Sequence, residues 1–77
     1  MQIILYTGQG CGLCDQAEAI LQGLPNYDAI ELEKIDVRTT TELYHLYGAR
    51  IPVLFRKDNQ SELPWPFDFI QLSEFLR

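Results

Sequence analysis

The first stretch of the chain, Gln2-Ile3-Ile4-Leu5-Tyr6, is apolar without alternation. A run of strand length with no polar face predicts a strand covered on both sides. It runs into Thr7-Gly8-Gln9-Gly10, whose glycines predict a loop. Beyond the loop, Leu13, Ala17, Ile20, Leu21 and Leu24 recur at helical spacing and form one stripe. They predict a helix that opens at or just after Cys11 and ends near Gly23, with Pro25 enforcing the stop.

A second strand is expected to end at Lys34-Ile35-Asp36-Val37. Ile30 and Leu32 share one alternation phase, whereas Ile35 and Val37 share the other, so a bulge lies near Glu33 or the strand begins there. Thr39 and Glu42 have capping-box spacing and predict a short helix carrying Leu43, Leu46 and Tyr47, closed at Gly48. Val53-Leu54-Phe55 reads as a buried strand after Pro52, and Asp58-Asn59-Gln60 as a polar turn. Ser61-Glu62-Leu63 then returns as a short edge strand. Asp68, with Gln71 three positions on, predicts a last helix with Phe69, Leu72 and Leu76 on one face. The order βαβαββα gives an α/β fold: one domain over residues 1–77, with a four-stranded mixed sheet flanked by three helices. Its first two strands are expected to be parallel and its last two antiparallel.

Composition narrows the function more than the fold. Seventeen charged residues divide as 11 acidic and 6 basic, a formal charge of −5. That balance argues against a nucleic-acid backbone or an anionic membrane as partner, since both need clustered cations. No apolar run approaches the roughly 20 residues of a membrane span. The first residues lack the basic-then-apolar pattern of a secretion signal. The expectation is a cytoplasmic monomer.

The two cysteines, in Cys11-Gly12-Leu13-Cys14, are too close in sequence to close a stabilising loop. Their placement suits redox chemistry. Cys11 stands at a predicted helix N-terminus, where unpaired N–H groups and the macrodipole favour a thiolate. One helical turn returns Cys14 to its side. The stripe puts Cys14 with Ala17 and Leu21 on the buried side, so Cys11 would attack an outside disulfide and Cys14 would resolve the intermediate. The alternatives are an inert buried pair or half of a metal site. Zinc needs about four ligands in a structural site, and only His45 and carboxylates remain to supply them. A Cys pair at a strand-to-helix junction beside a βαβ pattern favours the redox reading, and no metal site is expected.

Other residues carry two readings each. Pro52 either starts its strand in trans or holds a cis bond that frees the N–H and C=O of Ile51 for an extended substrate. Arg50 is a surface charge or a carboxylate anchor. Trp65, between Pro64 and Pro66, is a packing aromatic or a partner-facing one. Asp68 is a helix cap first and a contact for a ligand ammonium second. Tyr6 reads as buried packing, and His45 as a solvated or packed side chain.

Ile3-Ile4-Leu5-Tyr6, Cys11-Gly12-Leu13-Cys14, Gly48-Ala49-Arg50-Ile51-Pro52-Val53-Leu54 and Trp65-Pro66-Phe67-Asp68 together resemble the thioredoxin superfamily, and within it the compact bacterial glutaredoxin-like proteins. The resemblance covers nearly the whole chain. It implies a thioredoxin fold with Pro52 in cis, facing a Cys11–Cys14 disulfide. It also implies thiol–disulfide exchange with Cys11 as nucleophile, and a substrate site that includes Ile51, Pro52, Asp68, Trp65 and Arg50. No bound cofactor is implied. Glutathione or a thioredoxin reductase would supply electrons, and disulfide-containing proteins would be substrates. Three departures count against a standard glutathione site. Gly8 stands where glutaredoxins carry Lys or Arg, Arg50-Ile51-Pro52 replaces Thr-Val-Pro, and Trp65-Pro66 replaces a Gly-Gly pair. A binding module of the same fold with little redox turnover is the alternative.

Overall fold

A computed structural model describes residues 1–77. The strands are β1 (Gln2–Thr7), β2 (Glu31–Asp36), β3 (Val53–Arg56) and β4 (Glu62–Pro64); the helices are α1 (Gly12–Gln22), α2 (Thr41–Tyr47) and α3 (Phe69–Phe75). The sheet order is β2-β1-β3-β4. β1 is parallel to β2, from Gln2 opposite Glu31 to Thr7 opposite Asp36. β3 is antiparallel to β1, with Tyr6 opposite Val53, and β4 is antiparallel to β3, with Val53 opposite Pro64. This is the expected βαβαββα thioredoxin fold. No helix is long and apolar enough to cross a membrane.

Both faces of β1 are covered, as its unbroken apolar run requires. Ile3 and Leu5 meet Ala17 and Leu21 of α1, Leu54 of β3 and Phe67 and Leu72 near and within α3. Ile4 and Tyr6 meet Val37, Tyr47 and Val53 on the α2 side. The same two layers explain the phase change in β2. Its pairing with β1 is continuous over all six residues, so neither a bulge nor a start at Glu33 occurs. Leu32 packs on the α1–α3 layer and Ile35 on the α2 layer, one half of the strand serving each. Lys34 and Glu33, at the intervening positions, reach Glu18 at 3.2 Å and Lys57 at 3.5 Å.

Three local expectations are corrected. The cap of α2 is Thr40, whose hydroxyl accepts from Leu43 N–H at 3.0 Å; the Thr39 hydroxyl donates to Asp36 C=O at 2.7 Å. Leu13 and Phe69 lie at the first inward positions of α1 and α3 but are 47% and 46% exposed. Each is therefore only about half covered, at the first turn of its helix. The capping box of α3 forms as expected: Asp68 Oδ1 accepts from Gln71 N–H at 2.8 Å, and Gln71 Oε1 accepts from Asp68 N–H at 3.0 Å.

Arg56 holds the other end of α3 to the sheet. Its guanidinium grips both Asp58 carboxylate oxygens, at 2.9 and 2.6 Å, and donates to the carbonyls of Phe75 and Arg77. Helix-end carbonyls lack intrahelical donors, and here a strand residue supplies them. The Arg56 hydrogen bonds hold the Asp58 carboxyl below its ordinary value, about 3.9. A depressed carboxyl stabilises the fold above its unfolded pKa and ceases to do so as pH falls through the folded one. Arg56→Met removes the donor of all four hydrogen bonds from a buried position and is expected to lower the melting temperature by roughly 5–10 °C at pH 7. The smaller loss in Asp58→Asn should begin to shrink as pH drops below about 4 and vanish only once pH has passed the lowered folded pKa. Thermal melts of both variants from pH 7 to pH 2 check this, and an Asp58→Asn deficit that persists at the acid end would contradict it.

Candidate redox site

The registers bring three loops to one end of the sheet. Thr7, Asp36, Val53 and Pro64 lie side by side there. The Cys loop leaves β1, the Ile51-Pro52 step enters β3 and the Trp65 loop leaves β4 at this end. Gly10 turns the Cys loop with φ +67°, a left-handed conformation that favours glycine. Gly8 lets the loop approach the Pro52 segment: a Cβ there would lie 2.9 Å from Ile51 Cδ1. Ile51 Cδ1 is the free end of a flexible side chain, so a larger residue at position 8 would require only that this methyl shift.

Cys11 is the N-cap of α1, with extended backbone (φ −92°, ψ 100°). Its Sγ accepts from Cys14 N–H at 3.1 Å, satisfying one of the donors that a helix start leaves open. The two cysteines form a disulfide with Cα atoms 5.2 Å apart. Cys11 is partly exposed, whereas Cys14 is 3% exposed beneath it with Ala17 and Leu21. Only the first sulfur of the pair is open to an incoming group.

The Ile51–Pro52 bond is cis, and so is Trp65–Pro66, which sequence reasoning did not anticipate. The expectation that both polar groups of Ile51 are free is corrected. Its N–H donates to Tyr47 C=O at 3.0 Å, and only its carbonyl is without a hydrogen bond. Tyr47 C=O is a helix-end carbonyl with no intrahelical donor, and it accepts from both Ile51 N–H and Arg50 N–H, the latter at 2.8 Å. Pro52 is buried, and its C=O accepts from Trp65 N–H at 3.0 Å, tying the two cis segments together. The Trp65 ring is partly buried on the α1–α3 core, edge-on to Phe67 at 5.0 Å between centroids. Packing is thus its main contact. Asp68 is exposed and spends Oδ1 on the cap, leaving Oδ2 open.

Arg50 is neither a bare surface charge nor an open anchor. Its Nη2 lies 3.1 Å from Glu62 Oε1, and its guanidinium sits 5.3 Å above the Tyr47 ring. The other Glu62 oxygen accepts from the Tyr47 hydroxyl at 2.6 Å. Tyr47 stacks on Tyr6 at 4.1 Å, so the buried Tyr6 also forms one wall of this cluster. Burial first, and the Glu62 carboxylate second, push the Tyr47 phenol well above its ordinary value. Sequence reasoning missed Glu62 and Tyr47. The signal available was weak: Glu62 faces Phe55 across the β3–β4 pair, on the Tyr47 side of the sheet. His45 is exposed, and no group of three His, Cys, Asp or Glu side chains is arranged to hold a metal.

This geometry agrees with what the chain resembles. Residues 2–77 match the model of the glutaredoxin-like domain (DUF836). The solution structure of a structural-genomics target protein, XcR50 from X. campestris, is 36% identical, with a TM-score of 0.80 and coverage of 99% of this chain and 92% of that one. An X-ray structure of the same target gives 31% identity and a TM-score of 0.78, covering 96% of this chain and 93% of that one. A search of curated proteins returns no match. With a family match over all but its first residue, the chain belongs to the glutaredoxin-like family.

Proposed function

We propose that the protein is a thiol–disulfide oxidoreductase that reduces protein or glutathione mixed disulfides through Cys11 and Cys14. The observation that carries this reading is the asymmetry of the pair: a partly exposed sulfur at a helix N-terminus above a buried one. The Cys11 thiolate attacks one sulfur of the target disulfide. That S–S bond breaks, and the other target sulfur leaves and takes up a proton. Cys14 then attacks Cys11 Sγ, the second target thiol leaves, and the protein holds the Cys11–Cys14 disulfide. Two electrons have passed to the target, and an external thiol or a thioredoxin reductase returns them. Ile51 C=O is the acceptor available to an extended substrate backbone. Pro52 shapes the wall, while Arg50, Trp65 and Asp68 border the site. A pair that cycles in this way suits a reducing compartment, the cytoplasm.

The test is reduction of insulin and of a glutathione mixed disulfide by the full chain. Glutathione and a thioredoxin reductase are supplied as reductants in separate assays. Turnover with either supports the reading. No turnover with both, together with an unreactive Cys11 toward iodoacetamide, refutes it.

A further inference from the structure

We propose that Glu62 is a specificity-determining residue that keeps Arg50 occupied and so discriminates against small anionic thiols as reductants; this deepens the proposed function and rests on it. Arg50 is the one basic side chain in the Gly48–Pro52 segment, which adjoins the Cys loop through the Gly8–Ile51 approach. An anionic thiol reaching Cys11 would find in Arg50 the cation this segment offers. The chain fills that place itself. Glu62 presents one oxygen to Arg50 at 3.1 Å and the other to the Tyr47 hydroxyl at 2.6 Å. The Tyr47 ring under the guanidinium fixes the cation where the carboxylate meets it. A β4 carboxylate thus stands in for the carboxylate of a ligand, and every incoming one must displace it. The chain's net charge of −5 adds repulsion of the same sign.

The reaction that reports on this is reduction of the Cys11–Cys14 disulfide by glutathione, an anionic thiol, compared with 2-mercaptoethanol, a neutral one. The first thiolate bonds to Cys11 Sγ, the Cys11–Cys14 bond breaks, and Cys14 takes up a proton. A second thiolate attacks the first thiol's sulfur and frees Cys11, leaving the dithiol and one oxidised small-molecule disulfide.

Glu62→Gln removes the charge but keeps an oxygen for the Tyr47 hydroxyl. It should raise the glutathione-to-mercaptoethanol rate ratio about two- to fivefold, the range expected for an exposed ion pair. Arg50→Gln should change the ratio little in the parent chain but cancel the gain in the Glu62→Gln background. That non-additivity separates the pair from a general field effect of one lost charge. The gain should also shrink above about 0.5 M salt. An unchanged ratio in Glu62→Gln, or additive effects of the two substitutions, would overturn the proposal. Failure of the proposed function is distinguishable, because it would show as absent turnover of protein and mixed disulfides whatever the thiol ratio does.

Discussion

Cys11→Ser is expected to reduce turnover to the background rate of the external thiol, whereas Cys14→Ser, incubated with a protein disulfide and no external thiol, should stop as a covalent adduct with its substrate. The difference follows from burial and from helix position. The Cys11 sulfur is reachable and receives the Cys14 N–H, so negative charge on it is stabilised where an attacker needs it. Cys14 is 3% exposed and can meet only a sulfur already joined to Cys11. Without Cys14, the first exchange still forms the mixed disulfide, but the protein has no second thiol to cleave it, and it persists until an external thiol is added. Intact-mass spectrometry after incubation with a protein disulfide should therefore show adduct for Cys14→Ser and none for Cys11→Ser. The reverse pattern would assign the nucleophile to the buried cysteine and sink the mechanism.

The parts of this site that were legible in sequence are those set by local spacing. The Cys pair after an apolar run, the helical stripe behind it and the Asp68–Gln71 box each lie within a few residues. The structure places them as the spacing predicts. The cis state of Pro52 was implied by resemblance, not by the residues themselves. What escaped depends on partners distant in sequence. Glu62 is 12 positions from Arg50, and the two meet only because β4 pairs with β3 in one register. The Ile51 N–H is taken by a carbonyl that exists as a free acceptor only at the end of α2. Leu13 and Phe69 fit their helical stripes, but a stripe does not disclose how much of its first turn the rest of the fold covers. Arg56 follows the apolar run Val53-Leu54-Phe55, and its burial depends on the end of α3, 19 positions away, returning to that strand.

The second large effect is expected at Leu54. It is fully buried on β3, opposite Leu5 of β1 and Leu63 of β4, and it joins Leu21 of α1 and Leu72 of α3 in one cluster. Leu54→Ala should cost about 2–5 kcal/mol, the lost transfer energy plus a cavity that four surrounding elements cannot all close. A domain of this length has only about 4–12 kcal/mol in total, so the loss is a large share of its stability. Leu46→Ala removes the same side chain from α2, where it is 54% exposed, and should stay within about 0.5 kcal/mol. Urea unfolding of the two variants makes the comparison, and equal midpoints would contradict the packing described here. The functional consequence is tied to the same strand. β3 leads directly out of Pro52, whose carbonyl holds the Trp65 segment, and it pairs with the β1 strand that ends in the Cys loop. Leu54→Ala should therefore lower turnover at temperatures below its unfolding transition, because the three loops depend on β1, β3 and β4 for their spacing. Leu46→Ala should leave turnover intact.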